Sequence, residues 1–197
     1  MTKVVLASKS ASRSAMLRAA GVAFETAGAG VDEAAAKAEL LAKGAGPREI
    51  AEHLARLKAL AVSAGRPGLV IGADQTLDLD GRLFDKAETC AEARAHLTAL
   101  RGRAHSLHTA AVVAEDGEIV WRATESPRLT VRGFSDEFLD GYLARGGAAL
   151  LGSVGCYLLE GEGAQLFERI EGDYFAVLGL PLLPLLEFLR SRGALAS

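Results

Sequence analysis

The sequence predicts an α/β or α+β protein built on a mixed sheet. Three observations carry that prediction. Stretches with helical periodicity are interleaved with short apolar runs along the whole chain. Some runs stand alone, as in "KVVLA" (3–7), while others pair through tight turns, as "HSLHTAAVV" and "EIVWRAT" do through "EDG". Half the residues are hydrophobic and 24% are charged, the balance of a well-cored globular chain.

The elements follow in order. The strand at 3–7 leads into a helix over 10–21, "SASRSAMLRAAG", with Ser10 or Ser12 as its cap and Gly21 closing it. "AFETA" (23–27) reads as a second strand. "DEAAAKAELLAKG" and "PREIAEHLARLKALAVSAG" read as helices, and Pro47 sits in the first turn of the second, where a missing N–H costs little. Ile50, Leu54, Leu57 and Ala61 share one face of that helix, with Lys58 beside the stripe. A buried strand over 69–73 then runs into Asp74-Gln75 and ends there. "LDLDGRLFD" is a hairpin turning at Asp80-Gly81. Thr89 and Glu92 form a capping-box pair ahead of the helix "AEARAHLTALRG". From 104 to 132 the pattern is strands, ending in "RLTVRGF". Ser135 opens a helix that stops near Gly146-Gly147. A glycine-rich stretch, 152–163, precedes "AQLFERI", and "LPLLPLLEFLR" closes the chain as a helix entered through Pro181 and Pro184.

Composition excludes some function classes. A length of 197 residues suits one domain spanning 1–197. The net charge of −3 gives no electrostatic footprint for a nucleic-acid polymer, though a small anion needs only a local basic cluster. Cys90 and Cys156 are far apart and form no CxxC pair, which points to a reducing compartment. The apolar run after Lys3 is too short for a signal peptide. The most apolar segment, 174–186, contains two prolines and falls short of the roughly 18 residues of a membrane span. The expectation is a cytoplasmic protein with no membrane partner. The apolar C-terminal segment is expected in the core, and a homodimer face is its alternative.

Familiar motifs fail. "GAGVDE" (28–33) places Glu33 where a dinucleotide fingerprint needs its third glycine, and "GEGAQL" places Leu166 there. Neither a Walker A sequence nor a G-x-S-x-G elbow occurs. His105 and His108 are three apart on a strand and face opposite ways, so a zinc site is not expected. Surface or structural places are expected for the histidines.

Other fragments admit two readings each. In "VVLASKSASR" a strand, a serine-bearing turn and a helix start suit a phosphate, with Ser8 and Ser10 as donors and Arg13 as a bidentate grip. A serine-capped helix with a solvent-facing arginine explains the same letters more simply. Asp32-Glu33 open a helix, where acids favour the dipole. Asp74 is harder to explain away, because it follows a buried run and the turn is already supplied by Asp80-Gly81. An acid beyond the end of a strand in an open α/β sheet can ligate a hard metal or act as a base. Lys86 alone reads as a surface lysine, and Glu160 lies among glycines in a loop that is flexible or closely approached by a ligand.

Taken in order, these fragments resemble one family. "LASKSASR", "VDE", "LARLKA", "GADQ", the acidic hairpin with Lys86, "LRGRAHSLHTA" and "GDYFAVLGLPLLPLL" look like the Maf family of nucleotide pyrophosphatases, from residue 4 to about 190. The resemblance implies an α/β fold with a twisted mixed sheet flanked by helices and a cleft between two lobes, related to the inosine-triphosphate pyrophosphatases. It implies hydrolysis of a nucleoside triphosphate to monophosphate and diphosphate with a divalent cation, Mg²⁺ or Mn²⁺. By position, Ser8, Ser10, Arg13, Lys58 and Lys86 correspond to the phosphate-binding set. Glu33 and Asp74 correspond to the acids near the metal, with Asp74 as catalytic proton acceptor. Two departures stand out: Ala11 replaces the family's proline, and "DKA" replaces "GKP" around Lys86.

Ser12, Gln75 and Glu160 fall where the family's branches differ in substrate. The branch acting on dTTP and UTP usually carries Thr after the catalytic Asp and Gln at the late-loop position. Gln75 and Glu160 therefore resemble the branch that hydrolyses 7-methyl-GTP. The competing expectations are a dTTP/UTP pyrophosphatase and a nucleotide-binding cell-division regulator with little turnover.

Overall fold

The computed structural model describes residues 2–196; Met1 and Ser197, the ends of the expected 1–197 unit, lie outside them. Eight strands and seven α-helices are described: β1 Val4–Leu6, α1 Ala11–Ala19, β2 Glu25–Thr26, α2 Glu33–Ala42, α3 Pro47–Ser63, β3 Leu69–Leu79, β4 Arg82–Phe84 and α4 Cys90–Leu100 come first. β5 Ala104–Glu115, β6 Glu118–Glu125, β7 Arg128–Val131, α5 Asp136–Gly146, β8 Phe167–Glu171, α6 Tyr174–Leu178 and α7 Leu182–Ser191 follow. They make one mixed sheet in the order β2-β1-β3-β5-β7-β8, with β4 also on β3 and β6 also on β5. β1 is parallel to β2 and β3, and the other pairs are antiparallel.

Two long strands are shared between two lobes. β1 pairs β3 only at Leu69–Ile71, and β4 pairs the same edge only at Leu77–Leu79. Between them no strand among the described residues pairs that edge of β3, while β5 pairs the other edge from Val70 to Asp78. β5 is divided likewise, with β7 at 104–106 and β6 at 109–115. The cores divide at the same place. Ile71 and Ala73 pack with Leu6, Leu17, Val113, Leu185 and Leu189 in the first lobe. Leu77 and Leu79 pack with Phe84, Leu97, Leu107, Leu129 and Leu139 in the second. The gap in the edge of β3 thus opens between two hydrophobic cores.

The expected strand end at residue 73 is corrected here: β3 runs straight through Asp74 and Gln75 to Leu79. Strand pairing uses backbone groups, and β5 supplies partners for Asp74, Gln75 and Thr76 through Ala110, Thr109 and His108. Polar side chains therefore need not end the strand. The Asp80-Gly81 turn is present, with φ of 53° and 83°, the left-handed pair of a type I′ hairpin.

Helix α3 is also turned from its expected face. Its buried residues are Ile50, Ala51, Leu54, Ala55, Lys58, Ala59, Val62 and Ser63, while Leu57 is half-buried and Ala61 exposed. Lys58 lies within the buried stripe and not beside it. Gly72 is the reason the helix can sit so close. A Cβ there would lie 2.2 Å from the Ala55 carbonyl and 2.5 Å from the Ala59 nitrogen. The buried Thr76 hydroxyl, two residues past Asp74, donates to the Pro47 carbonyl at 2.8 Å and fixes the start of α3.

α6 is a five-residue helix that the sequence reading does not separate from its apolar surroundings. The Asp173 carboxylate caps it from the front at 2.6 Å, and Gly179 ends it at φ 110°. The expected core placement holds for Leu180, Leu182, Leu185 and Leu189, all buried. Among the described residues no helix is long and apolar enough to cross a membrane.

Candidate active site

A cleft of about 760 Å³ wraps around the open edge of β3. It begins where β1 ends and runs between the lobes. Ser8, Ser10, Ser12, Arg13, Glu33, Lys58, Asp74, Gln75, Lys86 and Glu160 all line it. Residues scattered over about 150 positions meet because the two lobes share β3 and β5.

The α1 end of the cleft is tightly bonded. Ser10 caps α1, its hydroxyl oxygen accepting from the Arg13 N–H at 3.3 Å. The Ser8 hydroxyl oxygen accepts from the Ser10 N–H at 3.2 Å and from Arg13 Nη1 at 3.3 Å. Arg13 also donates from Nε to the Gly179 carbonyl at 2.8 Å and from Nη1 to the Ala73 carbonyl at 3.0 Å. This corrects the solvent-facing reading of Arg13: it is half-buried and ties α1 to β3 and to the turn after α6. Nη2 takes part in none of these bonds. Burial pulls the guanidinium below its ordinary value, while Asp74 and Glu33 pull it back up. Arginine starts high enough to stay charged.

The acids meet a cation of their own. Lys58 Nζ lies 2.6 Å from Asp74 Oδ1 and 2.7 Å from Glu33 Oε2. The side chains of Lys58 and Asp74 are 8% and 13% exposed, and that of Glu33 is 53% exposed. Strand alternation explains the meeting, since Gly72, Asp74 and Thr76 share the face of β3 that α3 covers. The acid pair at 32–33 also separates into two parts. Asp32 is the N-cap of α2, accepting from the Ala35 N–H at 2.9 Å, and Glu33 turns into the cleft.

Lys86, Asp78 and Asp80, from the hairpin and the loop after it, lie at the edge of the cleft or outside it. Lys86 is exposed on the loop after β4, at the rim. Asp78 accepts from the Gly81 N–H at 2.6 Å and meets His108 Nε2 at 3.3 Å, and Asp80 pairs with Arg103. Neither Asp78 nor Asp80 lines the cleft.

This cleft belongs to a recognisable group of proteins. The profile of the family described as "Maf-like protein" matches residues 3–192. The chain is 62% identical to a protein of Caulobacter vibrioides named nucleoside triphosphate pyrophosphatase, over 99% of this chain and 98% of that one. It is 53% identical to a protein of the same name from Granulibacter bethesdensis, over 98% of each. A Rhizobium meliloti protein named 7-methyl-GTP pyrophosphatase is 50% identical, over 98% of this chain and 97% of that one. The chain belongs to the Maf-like family.

In this Maf-like cleft the far wall is apolar, and the sequence reading missed it. Leu107, Val154, Tyr157, Leu158, Leu159, Val177 and Leu178 line it. Tyr157 is held from behind: its hydroxyl lies 2.7 Å from Nε2 of the buried His105, and Phe167 meets its ring edge-on. Burial lowers the His105 pKa to about 4 and raises that of Tyr157, so both are neutral near pH 7. Gly155 stands two residues before Tyr157, and a Cβ there would lie 2.1 Å from the tyrosine ring.

Gln75 faces this second side, opposite Asp74. Its Nε2 donates to Thr109 Oγ1 at 2.8 Å and meets the carbonyls of Ala176 and Val177 at 2.9 and 3.2 Å. Those contacts use the amide's donors. The Ser12 hydroxyl donates to the Leu178 carbonyl at 2.9 Å. Glu160 is exposed at the rim.

A divalent cation entering the cleft would meet the Glu33 and Asp74 carboxylates. Among the described residues no cluster of three or more His, Cys, Asp and Glu side chains could hold an ion. Glu33 and Asp74 alone suit Mg²⁺, which is commonly held by one or two carboxylates with substrate phosphates and water completing its shell.

Proposed function

We infer that this chain is a nucleoside triphosphate pyrophosphatase, and we propose 7-methyl-GTP as its substrate. The observation that carries the reading is a single cleft with cations and a half-buried acid at one end and an apolar wall at the other. A nucleotide has the same polarity, an anionic tail and a flat base.

The steps follow from the chain's own groups. Arg13 and Lys86 bind the triphosphate with the Ser8 and Ser10 hydroxyls and the amide end of α1. Phosphoryl transfer is mostly positioning and charge neutralisation, which this ring of donors supplies. Asp74 accepts the proton of the water that attacks the α-phosphorus. The bond to the β-phosphate oxygen breaks and diphosphate leaves. A divalent cation, held by Glu33 and Asp74, would neutralise phosphate charge and acidify the attacking water.

Base choice belongs to the other end. The Glu160 carboxylate accepts from the N1–H and N2–H₂ edge of guanine, an edge that pyrimidines lack. N7-methylation puts a positive charge on the purine, which suits a carboxylate and the face of Tyr157. The name of the Rhizobium meliloti relative supports the same substrate. We place the protein in the cytoplasm, in keeping with two free thiols, Cys90 and Cys156.

The test is pyrophosphate release from a nucleotide panel with Mg²⁺ or Mn²⁺. 7-methyl-GTP is expected to give the highest kcat/KM. A clear preference for dTTP or UTP would sink the substrate assignment. Tight nucleotide binding with no pyrophosphate released from any member would sink the enzyme reading.

A further inference from the structure

Lys58 matches a phosphate-binding position of the family, yet its ammonium is bonded to both acids, Asp74 and Glu33. We propose that Lys58 is a positioning residue for the acid pair: it serves as their built-in counter-cation, and a divalent ion binds them fully only when Lys58 transfers to the phosphates of the nucleotide. The inference rests on the metal-assisted reading above and goes beyond it, because it predicts an order and a coupling of binding.

The geometry supports each part. The Asp74 carboxylate is largely covered, and a covered carboxylate needs a counter-charge or hydrogen bonds. Lys58 provides it from a helix that cannot retreat: α3 is packed backbone-to-backbone on Gly72 and tied through Pro47 to Thr76. Only the lysine's own rotamers are free to move the charge. A divalent ion approaching the same two carboxylates meets the Lys58 ammonium at short range. Like charges a few ångströms apart in a partly covered site repel strongly.

The two acids are not held alike. Asp74 is fixed on the central strand β3, whereas Glu33 is the first residue of α2, a helix with no buried residue. The pair can therefore open on the Glu33 side. A triphosphate in the cleft offers oxygens that can take over the ammonium, freeing both carboxylates. Metal and nucleotide then raise each other's affinity by the same factor.

The experiment is a Mn²⁺ titration of the full chain without nucleotide, with free Mn²⁺ followed by electron paramagnetic resonance. Lys58→Met is expected to bind Mn²⁺ about tenfold more tightly than wild type or more, because one positive charge has left the acid pair. Lys58→Arg keeps the charge and should stay near wild type. An α,β-methylene triphosphate analogue, which resists hydrolysis, should raise Mn²⁺ affinity by a larger factor in wild type than in Lys58→Met. Should Lys58→Met not fold, Lys58→Gln carries the same comparison with a donor retained. Equal Mn²⁺ affinity of wild type and the neutral variant overturns the proposal. Absence of Mn²⁺ binding to every protein does so too. Pyrophosphate release measured in parallel separates the two readings: its absence removes the proposed activity, while the Mn²⁺ comparison still decides the role of Lys58.

Discussion

Asp74 and Gln75 are adjacent in the chain but serve two regions of different construction. Asp74 faces α3, where Gly72, Thr76 and Lys58 lock helix, strand and acids together. Gln75 faces α6, where its amide holds two backbone carbonyls beside an apolar wall made mostly by the segment before β8. The first region is built from central strands and long helices. The second is built from loops, 3₁₀ turns at 147–152 and 162–166, and a five-residue helix. The difference teaches where tolerance lies. On the proposed function, phosphoryl transfer would fall to the rigid scaffold, and base selection to segments that can vary without disturbing it.

The sharpest way to break this contrast is Asp74→Asn. Turnover should fall by about 10³-fold, in the range lost with a general base, while the melting temperature changes little. Steady-state pyrophosphate release and a thermal melt check both halves. Survival of activity would move the base elsewhere.

Gly72→Ala tests whether the rigid side depends on backbone contact. The new methyl meets the backbone of Ala55 and Ala59 and cannot be absorbed by a rotamer change. Destabilisation of about 2–4 kcal/mol is expected in a urea titration, as for overpacked cores. Activity should fall with it, because α3 carries Lys58 away from Asp74. No loss in either measurement would mean that the close packing is not needed.

On the second side, the His105–Tyr157 pair gives stability a pH dependence. The folded value, about 4, lies below the ordinary 6.5 of histidine. Between those values the unfolded chain binds a proton that the folded chain refuses. Stability should therefore fall as pH drops from about 6.5 toward 4, by up to about 3 kcal/mol from this residue. His105→Phe should remove that part of the slope in urea titrations across the range. An unchanged slope would show that His105 is not held neutral.

The smallest effect is expected at the rim. Glu160→Gln should lower the preference for 7-methyl-GTP over UTP by about tenfold, the value of one charge-assisted hydrogen bond, with no change in melting temperature. An unchanged preference would remove Glu160 from base recognition.

The sequence exposed the elements that carry local signals. The Ser10 and Ser135 caps, the Asp80-Gly81 turn and Pro47 at the head of α3 are all where the letters suggest. The ordered fragments also named ten residues that line a single cleft. The apolar wall stayed hidden because Leu, Val and Tyr residues bordering a ligand carry the same pattern as residues filling a core. α6 stayed hidden because five residues hold too little periodicity to show.

By itself, then, the sequence determined which residues could carry charge chemistry and where most helices and strands would form, since caps, turns and periodicity act over a few residues. The tertiary structure decided what those residues face. Pairing with β5 carried β3 through Asp74 and Gln75, and strand alternation sent the two side chains to opposite regions. The absence of a side chain at Gly72 let α3 approach until Lys58 reached both acids. Those contacts join positions far apart in the chain, and only the packed fold brings them within bonding distance.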